Sequence, residues 1–244
     1  KDLRVKTDKT MKWKNNFSVQ SDWTDVIVNR EAKEAIARKL AERAKEGETI
    51  GAGSGSTVYL TLEALAERIR KENLHITVIP ASFESTMACL RFGIPLTTLW
   101  EKRPDWTFDG ADEVDPEHNL LKGRGGALFQ EKLLIRSSKE VYIVVDESKF
   151  VSRLGTNFPV PVELFPGALA YVENCIWELG ATEVTLRPAK GKDGPVITEN
   201  GNLILDVRFE QLSADLERKI KAVTGVIESG LFMGYCLKII SLNR

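Results

Sequence analysis

The stretch Thr49-Ile50-Gly51-Ala52-Gly53-Ser54-Gly55-Ser56-Thr57, running on into Val58-Tyr59-Leu60, decides the fold. Thr49-Ile50 reads as a short strand, and residues 51–57 as a glycine-rich turn. From Val58 to Arg70 the apolar residues Leu60, Leu62, Leu65, Ala66 and Ile69 recur at helical spacing. Strand, glycine turn and helix start are the opening of a parallel α/β unit. Upstream, Ala32, Ile36, Ala37, Leu40, Ala41 and Ala44 mark one face of a helix that begins near Asn29 and stops at Gly47. Downstream, residues 75–80 read as a strand and 85–92 as a short helix ended by Gly93. Residues 95–99 and 106–108 are further strand candidates, and 127–136 is a helix. Residues 141–145 (VYIVV) form the continuous apolar run of a strand covered on both faces. The alternation predicts an α/β fold with a mainly parallel sheet and helices on both faces.

After Leu154 the pattern changes. Residues 160–165 and 183–187 are strand-like, with a helix over 168–179 between them. Residues 196–198 and 203–209 flank Asn200-Gly201, a strong hairpin signal. A helix over 213–223, capped by Ser213, follows. This order predicts a smaller α+β unit of the split-βαβ, ferredoxin-like type. The apolar stretch 231–242 rejoins the first sheet. The expected organisation is an N-terminal tail (1–28), a catalytic domain (29–157 with 229–244) and a small α+β domain (158–228). Residues 1–20 are polar and lysine-rich, without the apolar core of a secretory signal. An expression remnant, a partial transit sequence and a flexible tail all fit them.

Of the 244 residues, 43% are hydrophobic and 28% charged, which is globular and not disordered composition. A net charge of -1 disfavours a nucleic-acid binder, and no apolar run is long enough for a membrane helix. Three scattered cysteines without CxxC spacing read as reduced thiols of a cytoplasmic protein. Two histidines, His75 and His118, are too few for a histidine-rich metal site.

Four segments carry chemistry. The loop 51–57 forms an anion site, where backbone N–H groups and the helix dipole converge and Ser54, Ser56 and Thr57 add hydroxyls. It lacks the lysine of a Walker A loop and the third glycine of GxGxxG, so a small phosphate ester fits better than a nucleotide. A tight turn without a ligand is the plain alternative. In DGADEVD (109–115), Asp109, Asp112, Glu113 and Asp115 form a solvated acidic turn, a cation-binding loop (though without EF-hand spacing) or carboxylates that hold sugar hydroxyls at a strand's carboxyl end. In KGRGGALFQEK (122–132), Gly123, Gly125 and Gly126 admit close backbone approach beside Lys122. Glu131 on the following helix would ordinarily be a solvated residue; its neighbours single it out. In VVDESKF (144–150), a strand ends in Asp146 and Lys149 follows; a surface turn with a charged pair is the plain reading.

The ordered series GAGSGST (51–57), IPASFEST (79–86), FGIPLTTL (92–99), DGADEVDPEHNLLKGRGGALFQEKL (109–133), VDESKFVSRLG (145–155), PVPVELFP (159–166), TENGNLILD (198–206) and TGVIESGLF (224–232) resembles ribose-5-phosphate isomerase of the A type. The resemblance covers about residues 30–244. It implies a Rossmann-like domain with a smaller α+β domain, in a homodimer or homotetramer of the pentose phosphate pathway. It also implies interconversion of ribose 5-phosphate and ribulose 5-phosphate without metal or cofactor. By it, the general base falls on Glu131, and acidic substrate contacts on Asp109 and Asp112, with Gly110 and Ala111 between them. The lysine and glycine loop falls on Lys122, Gly123, Arg124 and Gly125, and the phosphate loop on Ser54, Gly55, Ser56 and Thr57. A further substrate lysine falls on Lys149.

Three positions depart from the family pattern: Ala52, Ser54 and Arg124, the last replacing a glycine. At φ > 0 an arginine would be strained; in an allowed region it points outward or toward the phosphate, and we expect the outward placement. Aldose–ketose isomerisation proceeds by a metal-assisted hydride shift or by proton transfer through a cis-enediolate. The scarcity of histidine favours the second, with Glu131 as a base of raised pKa. An amino-sugar-phosphate deaminase/isomerase would call for a ring-opening histidine, and a sugar-phosphate sensor would not need the acid–lysine set.

Overall fold

The computed structural model describes residues 27–241. Helix α1 (Arg30–Ala41) leads to β1 (Thr49–Ala52), α2 (Ser56–Glu72), β2 (Thr77–Pro80), α3 (Phe83–Phe92) and β3 (Trp106–Asp109). Next come the two-residue strands β4 (Glu113–Val114) and β5 (Leu120–Leu121), then α4 (Leu128–Ser137) and β6 (Glu140–Val144). The smaller unit contains β7 (Val160–Leu164), α5 (Leu169–Glu178), β8 (Ala181–Leu186), β9 (Leu203–Phe209), α6 (Leu216–Lys221) and β10 (Val226–Ser229). Strands β11 (Leu231–Phe232) and β12 (Lys238–Ile240) follow.

The central sheet has the order β12-β6-β3-β1-β2, and every pairing in it is parallel. This is a doubly wound order, and its direction reverses between β1 and β3. On one face Ile50, Phe108 and Tyr142 pack under Leu40 of α1, Leu62 and Leu65 of α2, and Ala88 of α3. On the other, Val141 and Ile143 pack against Ile135 of α4 and Phe232. Both faces are covered, which is why the strands are apolar without alternation. The second sheet is antiparallel, in the order β10-β7-β9-β8, with α5 and α6 closing one face through Val172, Ile176 and Ile220. A third, short sheet β11-β5-β4 takes β4 and β5 from between β3 and β6 and β11 from between β10 and β12.

Three expected elements differ. Residues 95–99 contribute one bridge, Leu96 to Val78, and then turn; Pro95 has no N–H to donate to a ladder. Residues 196–198 form no strand. The Asn200-Gly201 turn closes through Thr198 N–H to the Asn202 carbonyl, but the Thr198 hydroxyl and the Asn202 amide bind Glu163. The later helix starts at Leu216, because Ser213 donates its hydroxyl to Asp215 instead of capping. The expected tail lies outside the described residues except for its last two. Of these Ile27 is buried with Ala37 and Leu60, and Val28 is exposed.

Candidate active site

A cleft of about 240 Å³ opens at the carboxyl ends of β1, β2, β3 and β6. That location is the ligand crevice of an open parallel sheet. Between the two strands at the reversal, Gly53 packs on Asp109. A Cβ at residue 53 would lie 2.0 Å from the Asp109 carboxylate carbon, so only glycine fits.

The first wall is the turn into α2. Ser54, Gly55, Ser56 and Thr57 line the cleft, with Lys33 of α1 donating to Ser56 Oγ at 3.2 Å. Ser54 donates its hydroxyl to Ser82 at 2.5 Å, and Gly55 donates its N–H to Glu84 at 2.7 Å. Burial holds the Lys33 ammonium below its ordinary pKa, with Asp146 opposing. Lys149, in the 3-10 turn Glu147–Lys149 after β6, lines the same side. The Asp146 carboxyl is pushed up by burial, but Ser148, Lys149 and Lys33 outweigh this and hold it below the usual range. Two cations and three hydroxyls therefore face one end of the cleft.

At the other end sits a buried triad. Lys122 Nζ lies 3.0 Å from Asp109 Oδ2 and 3.2 Å from Glu131 Oε2, and donates to the Gly110 carbonyl at 2.6 Å. Lys122, Asp109 and Glu131 are 3%, 1% and 5% exposed. Neither of those two carboxylate oxygens has a hydrogen-bond partner beyond this ion contact. Burial first, then the negative charge of Asp109, pushes the Glu131 carboxyl up to about 8, against the pull of Lys122. Burial likewise raises Asp109. Burial disfavours the Lys122 charge, but Asp109 and Glu131 together hold its pKa above the ordinary value. The triad carries one cation between two carboxyls, so one carboxyl readily holds a proton near neutrality.

Asp112 lines the cleft and accepts the Arg124 N–H at 3.2 Å. Gly123 has φ of 100°, and a Cβ there would meet Leu128 at 2.9 Å, so this position requires glycine. Arg124 is not among the positive-φ residues; its exposed guanidinium stacks 4.3 Å from the Phe158 ring centroid. The outward placement holds, without strain.

The structure brings Gly110, Ala111, Asp112, Lys122, Gly123, Arg124, Gly125, Glu131 and Lys149 to one cleft with the residue 54–57 loop. Asp109 is the exception. It does not form the wall but sits behind Lys122, accepting the N–H groups of Ser54 at 3.3 Å and Gly110 at 2.7 Å. The remaining carboxylates of the acidic segment are structural: Glu113 accepts the N–H groups of Gly155, Asn157 and Phe158, and Asp115 holds Asn119. Sequence reasoning missed Lys33, Ser82, Glu84 and Glu199, which also line the cleft. Lys33 looks like any lysine on a solvated helix face. Ser82 and Glu84 lie in the quoted 79–86 segment, where their capping pattern was the available signal.

Known proteins of one family match this sequence and fold. Residues 77–243 match the family model for ribose 5-phosphate isomerase A (phosphoriboisomerase A). Ribose-5-phosphate isomerase A of Thermosynechococcus vestitus is 42% identical over 208 residues, 84% of this chain and 88% of that protein. That of Archaeoglobus fulgidus is 45% identical over 201 residues, 80% and 88% of the two chains. The solved ribose 5-phosphate isomerase A of Methanocaldococcus jannaschii superposes with a TM-score of 0.84 at 41% identity, covering 87% of this chain and 95% of that one. A solved D-ribose-5-phosphate isomerase in complex with phospho-erythronic acid gives 0.83 at 33% identity, over 88% and 96%. With its sequence and fold both matching, the chain belongs to the ribose 5-phosphate isomerase A family.

Proposed function

We propose that this protein interconverts D-ribose 5-phosphate and D-ribulose 5-phosphate by metal-free proton transfer through a cis-enediolate. The observation that carries the reading is Glu131: a buried carboxyl with its pKa pushed up to about 8, 3.2 Å from Lys122 at the cleft wall. A base that removes a proton next to a carbonyl works best with a pKa near the working pH. In the open-chain aldose, Glu131 takes the proton from C2 and returns it to C1, while the hydroxyl proton on O2 passes to O1. Lys122, with the N–H groups of the 123–125 turn, stabilises the oxygen on which negative charge develops. Asp112 orients the sugar hydroxyls and assists ring opening. Asp109 acts one layer back, holding Lys122 and the phosphate-loop turn. The phosphate binds Ser54, Gly55, Ser56 and Thr57, with Lys33 and Lys149 supplying charge, and this remote anchor fixes the reacting carbons.

The test is ketopentose formation from ribose 5-phosphate in EDTA, with Glu131→Gln alongside. Turnover by the native chain is expected to survive EDTA, and the variant to lose about 10²–10⁴-fold in kcat at little changed KM. A variant that keeps kcat while KM rises removes Glu131 as the base. Loss of native activity that a divalent metal restores removes the metal-free scheme.

Two hydrophobic cores support two units, residues 29–157 with the chain returning from 229, and residues 158–228, the second core also taking in Leu121, Leu154 and Leu231 of the larger unit. Exposed aromatics, Trp100 at 98% and Phe165 and Tyr171 above half, support a homodimer or homotetramer, readable by light scattering. A pentose phosphate enzyme with three free cysteines and no membrane-long apolar helix among the described residues fits the cytoplasm.

A further inference from the structure

We propose that Arg187, on the smaller unit, is a positioning residue that aims the N–H groups of the 123–125 turn at the reacting oxygens. The inference rests on the activity proposed above. Arg187 follows β8 and does not line the cleft. Its Nε and Nη2 form a two-pronged pair with Asp206 of β9, at 2.8 and 2.5 Å. Nη1, left over from that fork, donates to the Gly123 carbonyl at 2.9 Å and to the Arg124 carbonyl at 3.1 Å. One rigid plane thus holds two successive carbonyls of the turn, and strand β9 holds the plane.

The stereochemical consequence is direct. In a trans peptide the C=O of one residue and the N–H of the next point to opposite sides. Fixing the Gly123 and Arg124 carbonyls on the Arg187 side sends the Arg124 and Gly125 N–H groups to the other side, where both residues line the cleft. The Arg124 N–H is indeed found on Asp112, a cleft residue. The turn needs such a hold. Gly123 and Gly125 leave its backbone intrinsically free, and its internal support is the single Gly126 N–H to Gly123 carbonyl bond. A lysine could pair with Asp206 but cannot span that carboxylate and two carbonyls in one plane.

The experiment compares the native chain with Arg187→Lys, Arg187→Met and Asp206→Asn. It reads kcat, KM, and the affinities for phospho-erythronic acid and for inorganic phosphate. Phospho-erythronic acid places carboxylate oxygens where an enediolate would carry charge; phosphate reports the 54–57 loop alone. For the Arg187 variants we expect kcat to fall by about 10²-fold, the scale of a misplacement of about 1 Å. Phospho-erythronic acid should weaken in parallel, with KM and phosphate affinity unchanged. Asp206→Asn should show a smaller loss of the same pattern. Folded variants with native kcat and native phospho-erythronic acid affinity overturn the proposal. So does an equal loss of phosphate and phospho-erythronic acid binding, which marks a general collapse of the cleft. If Arg187→Met does not fold, Arg187→Lys and Asp206→Asn decide. A native chain with no turnover sinks the isomerase reading, and the ratio of the two affinities still reads the turn.

Discussion

At the scale of single residues, the chemistry depends on how one ammonium is shared. Lys122 stands between Asp109 and Glu131, and burial raises both carboxyls, the one on the cleft wall, Glu131, up to about 8. With Glu131 as the proposed base, the free protein gains it as pH rises. We expect kcat/KM for ribose 5-phosphate to increase through pH 7 to 8, with an acid limb near the Glu131 value, since kcat/KM reports groups of the free enzyme. A flat profile across that range would mean that another group is the base. Stability has the opposite sign. The Glu131 pKa is raised above the ordinary 4.5, so between about 4.5 and about 8 the folded state keeps a proton that the unfolded chain has released. Its contribution is full below 4.5 and is lost as pH rises through about 8. Thermal melts of Glu131→Gln should show a shallower decline over that window than native melts.

At the scale of elements, the site depends on two strand ends meeting where the sheet order reverses. β1 is followed by Gly53, a residue without a side chain, and β3 ends in Asp109, whose carboxylate occupies the space over Gly53. Gly53→Ala places a methyl where that carboxylate sits. We expect a loss of about 1–3 kcal/mol in denaturant unfolding, the usual range for overpacking. Activity should fall as well, because Asp109 can no longer hold Lys122. Native unfolding and native kcat would show that the turn yields freely. Much of this was readable in advance. Strand, glycine turn and helix were legible because their periods and punctuation are local. So were the acidic and glycine segments that form the cleft. What stayed hidden was short or cross-chain. β4, β5 and β11 have two residues each, too few for any period to register. Lys33 reaches the cleft, and Arg187 the carbonyls of the turn behind it, only through tertiary placement, and Asp109 and Asp112 share a motif although one is a support and the other a wall.

At the scale of the whole molecule, a second buried lysine fastens the parts together. Lys132, adjacent to Glu131 on α4, is 2% exposed and donates to Glu217 of α6 at 2.8 Å, Glu228 of β10 at 3.0 Å and the Leu231 carbonyl at 2.7 Å. The same helix thus turns one residue to the cleft and the next to the smaller unit. Lys132→Met removes the cation and leaves two carboxylates facing each other. A cost of about 3–5 kcal/mol is expected in equilibrium unfolding, the range for breaking a buried pair. A loss below 1 kcal/mol, on the scale of an exposed pair, would show that water reaches the cluster.

The return of the chain after β10 has a consequence for how the protein comes into being. Lys122 donates its N–H to the Gly230 carbonyl, and β12 borders β6 at the sheet edge. Leu231, which Lys132 contacts, lies 99 residues further along the chain than that lysine. During translation most of the residues that line the cleft emerge early and wait, unassembled, for a segment made much later. Such long-range closure is slow to form and leaves apolar strands uncovered meanwhile. A nascent chain stopped before residue 230 would therefore be exposed to chaperones and proteases without ever having turned over sugar.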